Sequence, residues 1–219
     1  MRSRARIPRP VGLAVAVCLL GSGCGGVGTR PAPTRPPGSG IPATASPSPG
    51  SAAPVPSQAP VPAERNPPGD IPDNQTFVAY TSATGGFALK VPEGWARAQW
   101  PGSVSFTDHL NTIEVSWAPA APPTVERAKA VDLAGWERSR PAFRLRQVAA
   151  VSLPAGPAVH VVAQENSPPN PVTGKRYRLD VERLELGHGG RTAVLLLSSP
   201  VGADNIDPWR LVSESFRWR

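Results

Sequence analysis

From Phe87 onward, apolar and polar positions alternate. Phe87, Leu89 and Val91 fall on one side, and Ala88 and Lys90 on the other. A period of two is the mark of a strand with one buried face. Val104 and Phe106 repeat it, as do Ile113, Val115 and Trp117 set against Thr112, Glu114 and Ser116. Phe143, Leu145, Val151 and Leu153 share odd parity, opposite Arg144 and Arg146. Tyr177, Leu179 and Val181 are odd as well, whereas Leu184 and Leu186 are even. That change of phase predicts a bulge near Glu182-Arg183. Ala193 to Leu197 is unbroken apolar sequence, which predicts a central strand covered on both faces.

Turn chemistry separates these runs. Thr84-Gly85-Gly86, Asp108-His109-Leu110-Asn111, Pro154-Ala155-Gly156 and Gly187-His188-Gly189-Gly190 read as hairpin connections. Two stretches read as helices. Thr124 caps one that runs from Val125 to about Arg138. Asp207 caps the other, with Pro208 in its first turn and Trp209, Val212 and Phe216 on one face. The prediction is an α+β domain over residues 77–219. It has a twisted, mainly antiparallel sheet of about six or seven strands packed by two or more helices.

The first 76 residues have no such period. Arg2, Arg4, Arg6 and Arg9 precede an apolar run, Val11 to Leu20, too short to span a bilayer alone. Ser22, Gly23 and Cys24 follow. The arrangement resembles a bacterial lipoprotein signal, in which a small residue and Gly or Ala precede an acylated cysteine. Here the family's leucine stands one place further back, at Leu20, with Gly21 between. The resemblance implies cleavage after residue 23, a diacylglycerol on Cys24, and anchoring at the outer face of the cytoplasmic membrane. Two acyl chains hold a protein there where one does not. Without acylation the same signal implies a secreted chain. Cys18 is then lost with the signal, leaving the folded region without a disulfide. Residues 24–76 are rich in Pro, Ala and Ser, and read as an extended, disordered tether.

At Gly86-Phe87-Ala88-Leu89-Lys90-Val91-Pro92-Glu93-Gly94-Trp95 a strand runs into Pro-x-Gly-Trp. With the closing run from Asp207-Pro208-Trp209 to Ser215-Phe216, residues 77–218 resemble the PsbP/Mog-like superfamily. The resemblance implies an α/β/α sandwich around an antiparallel sheet. It also implies a binding or assembly role of the kind found in actinobacterial-type surface lipoproteins. It carries over no functional residue. Trp95 is expected to pack under the first hairpin.

Charge changes this picture little. The 219-residue chain carries a formal +7 with a pI near 10.4. Four of its cations lie before the apolar run, so a mature chain keeps an ordinary surface charge, and no nucleic-acid partner is expected. His109, His160 and His188 lack zinc-ligand spacing, and no nucleophile elbow or phosphate loop occurs. No catalytic residue, cofactor or metal is therefore expected. Asp204, Asn205 and Asp207 form an acidic cluster without the calcium-loop pattern. One surface stands out. Arg144 and Arg146 share a strand face, as do Arg176 and Arg178; if those strands are neighbours, they form a patch for an anionic partner, with Asp180 and Glu182 able to neutralise it. The expected function is a lipid-anchored, non-catalytic module that binds a protein or cell-envelope partner. The alternative is a carrier holding a lipid or small ligand between sheet and helix.

Overall fold

The computed structural model describes residues 58–65 and 69–219. The signal region, Cys24 and the tether as far as residue 57 lie outside the described residues. Among the described residues ten strands form two sheets: β1 (Phe77–Ser82), β2 (Phe87–Pro92), β3 (Ala96–Trp100), β4 (Ser103–Asp108), β5 (Asn111–Pro119), β6 (Arg144–Leu153), β7 (Gly156–Asn166), β8 (Arg178–His188), β9 (Arg191–Pro200) and β10 (Arg217–Trp218). The larger sheet has seven strands in the order β3-β4-β5-β9-β8-β7-β6. The smaller has the order β1-β2-β10. Every pair of neighbouring strands is antiparallel, and the four glycine- and asparagine-rich turns make the hairpins expected of them.

The large sheet is the middle layer of three. On one face lie the small sheet and α3 (Ile206–Ser215), packed over Ile113, Val115, Leu184, Leu186, Leu195 and Leu197. Phe87 stacks on Phe216 at 5.3 Å between ring centroids, and Trp95 meets Trp209 edge-on at 6.3 Å. On the other face lies a helical run made of α1 (Val125–Arg127), a π-helical turn (Ala128–Asp132) and α2 (Leu133–Ser139). Its Ala128, Leu133 and Trp136 cover Val159, Val161, Leu179 and Val181. Thr124 caps it as expected, its Oγ1 accepting from the Arg127 N–H at 3.2 Å.

Three expectations need correction. β8 has no bulge at Glu182-Arg183, because its register against β7 and β9 is continuous. Its apolar parity changes because different layers cover different ends of it. The helical run covers Leu179 and Val181 on one face, while the small sheet and α3 cover Leu184 and Leu186 on the other. The bulge lies instead in edge strand β6, between Leu145 and Gln147. An extra residue there blunts an edge that would otherwise pair with another chain. The cap of α3 is Asn205, two residues before Asp207, and Asp207 pairs within the helix with Arg210 at 2.9 Å.

The third correction concerns the tether. The sequence places the start of the folded region at Phe77, but residues 58–65 and 69–76 already lie on the domain. Ile71 belongs to the main core. Its N–H donates to Asn205 Oδ1 at 2.8 Å, and the Gly69 carbonyl accepts from Asn205 Nδ2 at 2.9 Å and Asn111 Nδ2 at 2.8 Å. Further along, Val61 N–H donates to Asn166 Oδ1 at 3.1 Å, and Asn166 Nδ2 donates to the Ala59 carbonyl at 2.9 Å. Each time, one side-chain amide reads the C=O of residue i and the N–H of residue i+2, as a neighbouring strand would. All three asparagines are buried.

Replacing Ile71 with Ala tests this strap. A buried isoleucine cut to alanine costs about 2–5 kcal/mol, so the urea midpoint should fall clearly with an unchanged slope. A shift indistinguishable from that of a surface substitution would return residues 69–76 to the tether.

Candidate functional site

The helical run covers only part of its face of the sheet. Where it ends, a half-open cleft of about 230 Å³ is left between Arg127, Asp132 and the strands β5, β9 and β8. Ser116, Val194 and Glu185 lie side by side in one row across those three strands and line its floor. Ala120, Ala121 and Pro123 close one end. That segment is fixed by Ala120 N–H donating to the Gly190 carbonyl at 3.1 Å and by Thr192 Oγ1 donating to the Ala121 carbonyl at 3.0 Å. Gly187 is needed beneath it, since a Cβ there would stand 2.8 Å from Pro123 Cδ and 3.0 Å from Pro122 Cα.

Four charged side chains stand in a lining that is otherwise largely apolar. Arg183 Nη2 lies 2.9 Å from Glu185 Oε1, and the Arg183 guanidinium sits over the Trp136 ring at 5.2 Å. Arg127 Nε and Asp132 Oδ2 approach at 4.0 Å. The Glu185 side chain is only 5% exposed. Its Oε1 and the Arg183 Nε both lack an aligned hydrogen bond, so the ion pair is close but incomplete. Burial pushes the Glu185 carboxyl above its ordinary range; Arg183 opposes this and Asp132 adds to it. Two guanidinium groups and two carboxylates in one recess recognise polar and charged groups through ion pairs and hydrogen bonds.

Sequence parity carries a trace of this cleft. Arg183 and Glu185 have the same parity as Leu179 and Val181, which face the helical layer. Two charges at an inward parity are the signal, and the sequence reading passes over it. The buried asparagines left no comparable signal.

The predicted arginine patch is only partly assembled. β6 and β8 are not neighbours, because β7 lies between them. Arg178 is buried rather than offered to a partner: its Nη1 donates to the Ala142 carbonyl at 2.8 Å and to Asn166 Oδ1 at 3.2 Å. It holds Ala142 at a φ of 51°, a conformation alanine rarely adopts. Burial, then the nearby Arg146 and Arg144, hold its guanidinium below the ordinary arginine value. Arg176 is half-buried, its Nη1 donating to the Ser167 carbonyl at 3.0 Å. Arg144 and Arg146 are exposed, and Arg146 Nη2 donates to Gln164 Oε1 at 2.8 Å. Asp180 accepts from Gln164 at 2.8 Å, and Glu182 lies 3.0 Å from His160.

The remaining candidates are scattered. His109 pairs with Asp108 at 2.9 Å, and His188 stacks on Trp218 at 5.7 Å. Asp204 N–H donates to Asp70 at 3.0 Å, while the Asn205 side chain is committed to the strap, so the Asp204–Asp207 cluster does not converge. Among the described residues no group of three or more His, Cys, Asp or Glu is placed to hold a metal, and no helix is long and apolar enough to cross a membrane.

No protein-family model matches the chain, and no curated protein matches it. Solved structures to which it is similar include the cyanobacterial PsbP of Synechocystis, at 14% identity over 69% of this chain and 98% of that one, with a TM-score of 0.49. They also include the Ran-binding protein Mog1p of Saccharomyces cerevisiae, at 10% identity over 66% and 96%, with a TM-score of 0.46. LpqN, involved in cell envelope biogenesis of Mycobacterium tuberculosis, is similar at 15% identity over 66% and 91%, with a TM-score of 0.40. Likenesses at this level assign no activity and no residue role to this chain.

The raised carboxyl of Glu185 gives a signed prediction. In the unfolded chain it ionises near its ordinary value, before its counterpart in the fold does. Its contribution to stability is therefore full below pH 4.5 and lost as pH rises through the folded-state value. Measured by urea unfolding, the stability of the native chain relative to Glu185→Gln should fall as pH rises from about 4 towards 7. A difference that grows with pH would mean that the pair with Arg183 outweighs burial.

Proposed function

We propose that the chain is an exported, lipid-anchored, non-catalytic binding or assembly module at the outer face of the cytoplasmic membrane. The observation that carries the binding role is the charged cleft. Arg127, Asp132, Arg183 and Glu185 come from the helical run and from β8 to line one recess. Ion pairs and an incompletely bonded buried carboxylate suit recognition of polar groups on a partner. The address rests on the arginine-led apolar run followed by Ser22, Gly23 and Cys24. An acylated Cys24 gives the durable attachment that such a module needs.

The carrier remains the second reading, because the cleft does lie between sheet and helix. Its volume and its mix of apolar residues with four charged side chains suit a small ligand that carries polar groups.

Intact-mass and terminal-peptide mass spectrometry of the mature chain tests the address. The expected amino terminus is Cys24 bearing a diacylglyceryl group, with lipid incorporation abolished in Cys24→Ala. A mature chain that begins elsewhere and carries no lipid would leave a secreted protein in its place.

A further inference from the structure

One corner of the domain gathers its positive charge. At the shared end of β6, β7 and β8 stand Arg140, Arg144, Arg146, Lys175, Arg176 and Arg178, six cations against Glu64, Glu165 and Asp180. Away from this corner, residues 77–219 carry ten cations and eleven carboxylates, so the excess of the fold lies here. The corner is built rather than coincidental. Arg140 Nη1 lies 2.9 Å from Glu165 Oε1, and Arg178 ties Ala142 to Asn166. Lys175 Nζ lies 2.6 Å from Glu64 and 4.8 Å over the Tyr177 ring. Arg144 and Arg146 are exposed on the bulged edge strand β6.

An apolar side chain stands beside these charges: Val172, three residues before Lys175, is 91% exposed. Val172 sits at the tip of a loop closed on itself. Asn170 N–H donates to the Lys175 carbonyl at 2.8 Å, Gly174 N–H donates to the Asn170 carbonyl at 2.8 Å, and Asn170 Oδ1 accepts from the Val172 and Thr173 N–H groups at 2.9 Å. The loop thus holds an exposed apolar tip next to Lys175 and Arg176, with no partner among the described residues. That pairing of apolar tip and cationic rim matches the boundary between acyl chains and headgroups. The strap reaches the same corner. Asn166 holds Ala59 and Val61 beside Arg178, and Glu64 meets Lys175.

We propose that this corner is the surface the domain presents to an anionic lipid membrane, with Arg144, Arg146 and Lys175 against the headgroups and Val172 in the interface. It rests on the reading that Cys24 is acylated. Residues 25–57 then limit the separation of Cys24 from the strap to on the order of 100 Å at full extension. The membrane is thereby kept at high effective concentration beside the corner, so weak contacts suffice to orient the domain. Glu64 gives up Lys175 to the headgroups in that state.

The test uses the mature acylated chain carrying Val172→Cys, labelled with an environment-sensitive fluorophore. It is reconstituted on vesicles of phosphatidylcholine alone or with phosphatidylglycerol. Flotation with the phosphatidylcholine vesicles reads the anchor, and the fluorophore reads the corner. The expected result is flotation with both, with a blue-shifted, headgroup-quenchable emission only on the phosphatidylglycerol vesicles, lost at high salt. Arg144→Ser/Arg146→Ser should lower the inserted population roughly tenfold or more. Lys90→Ser/Arg217→Ser, away from the corner, should leave it unchanged. Emission that is the same on both vesicles, or that survives the Arg144/Arg146 double substitution, overturns the proposal while the anchor stands. A chain that fails to float with phosphatidylcholine vesicles overturns the anchored reading and the proposal with it.

Discussion

Asn111, Asn166 and Asn205 set the terms for one end of this domain. Each places a primary amide among buried groups, where an unmet donor or acceptor costs about 1–3 kcal/mol. Their partners are mostly backbone atoms of a proline-rich segment that lies at Ala59–Val61 and Gly69–Ile71. Proline leaves few N–H groups for a regular ladder. A side-chain amide supplies the bonds only where the chain offers them. The strap and the asparagines therefore need one another: without the strap three buried amides lose partners, and without the amides the strap keeps Ile71, the Glu64–Lys175 pair and the Asp70–Asp204 contact but loses its buried hydrogen bonds.

The sheet itself shows why the domain is layered as it is. β8 and β9 lie in the middle of seven strands and have neighbours on both edges. Both faces must be apolar or paired, and neither cover is long enough to span the whole sheet. The helical run shelters one face over β7 and β8; the small sheet and α3 shelter the other. The charged cleft lies where the first cover stops short of β5. Arg183 and Glu185 occupy positions that a longer helix would have required to be apolar.

Much of the fold is legible in the sequence because it follows from local rules. The hairpin turns, the Thr124 cap, the stripe of Trp209, Val212 and Phe216, and the alternation through β2, β4 and β5 all depend on neighbours within a few residues. What is not legible depends on the third dimension. Parity in β8 looks like a bulge because a single sequence does not reveal which layer covers which segment. The true bulge, at Leu145–Gln147, lies in a run where exposed and half-buried residues blur the pattern. Arg178 looks like its neighbours Arg176 and Arg146 but is drawn inside by Ala142 and Asn166. The strap is concealed by its composition, since the proline content that suggests a free tether is equally compatible with a docked extended chain. For the cleft, Ser116 on β5, Arg127 and Asp132 on the helical run, and Glu185 on β8 come from three separate parts of the chain, and only topology brings them together.

The grip of the domain on its own tether is the claim from which the rest extends: where the fold begins, what the asparagines do, and where the chain leaves the sheet. Native-state hydrogen exchange at the Val61 and Ile71 amides measures it most directly, because each donates to a buried asparagine. Both should be protected far beyond an unstructured peptide. Asn166→Ala should release Val61, and Asn205→Ala should release Ile71, while strands β8 and β9 remain protected. Exchange of both amides at the free-peptide rate in the native chain would contradict the account.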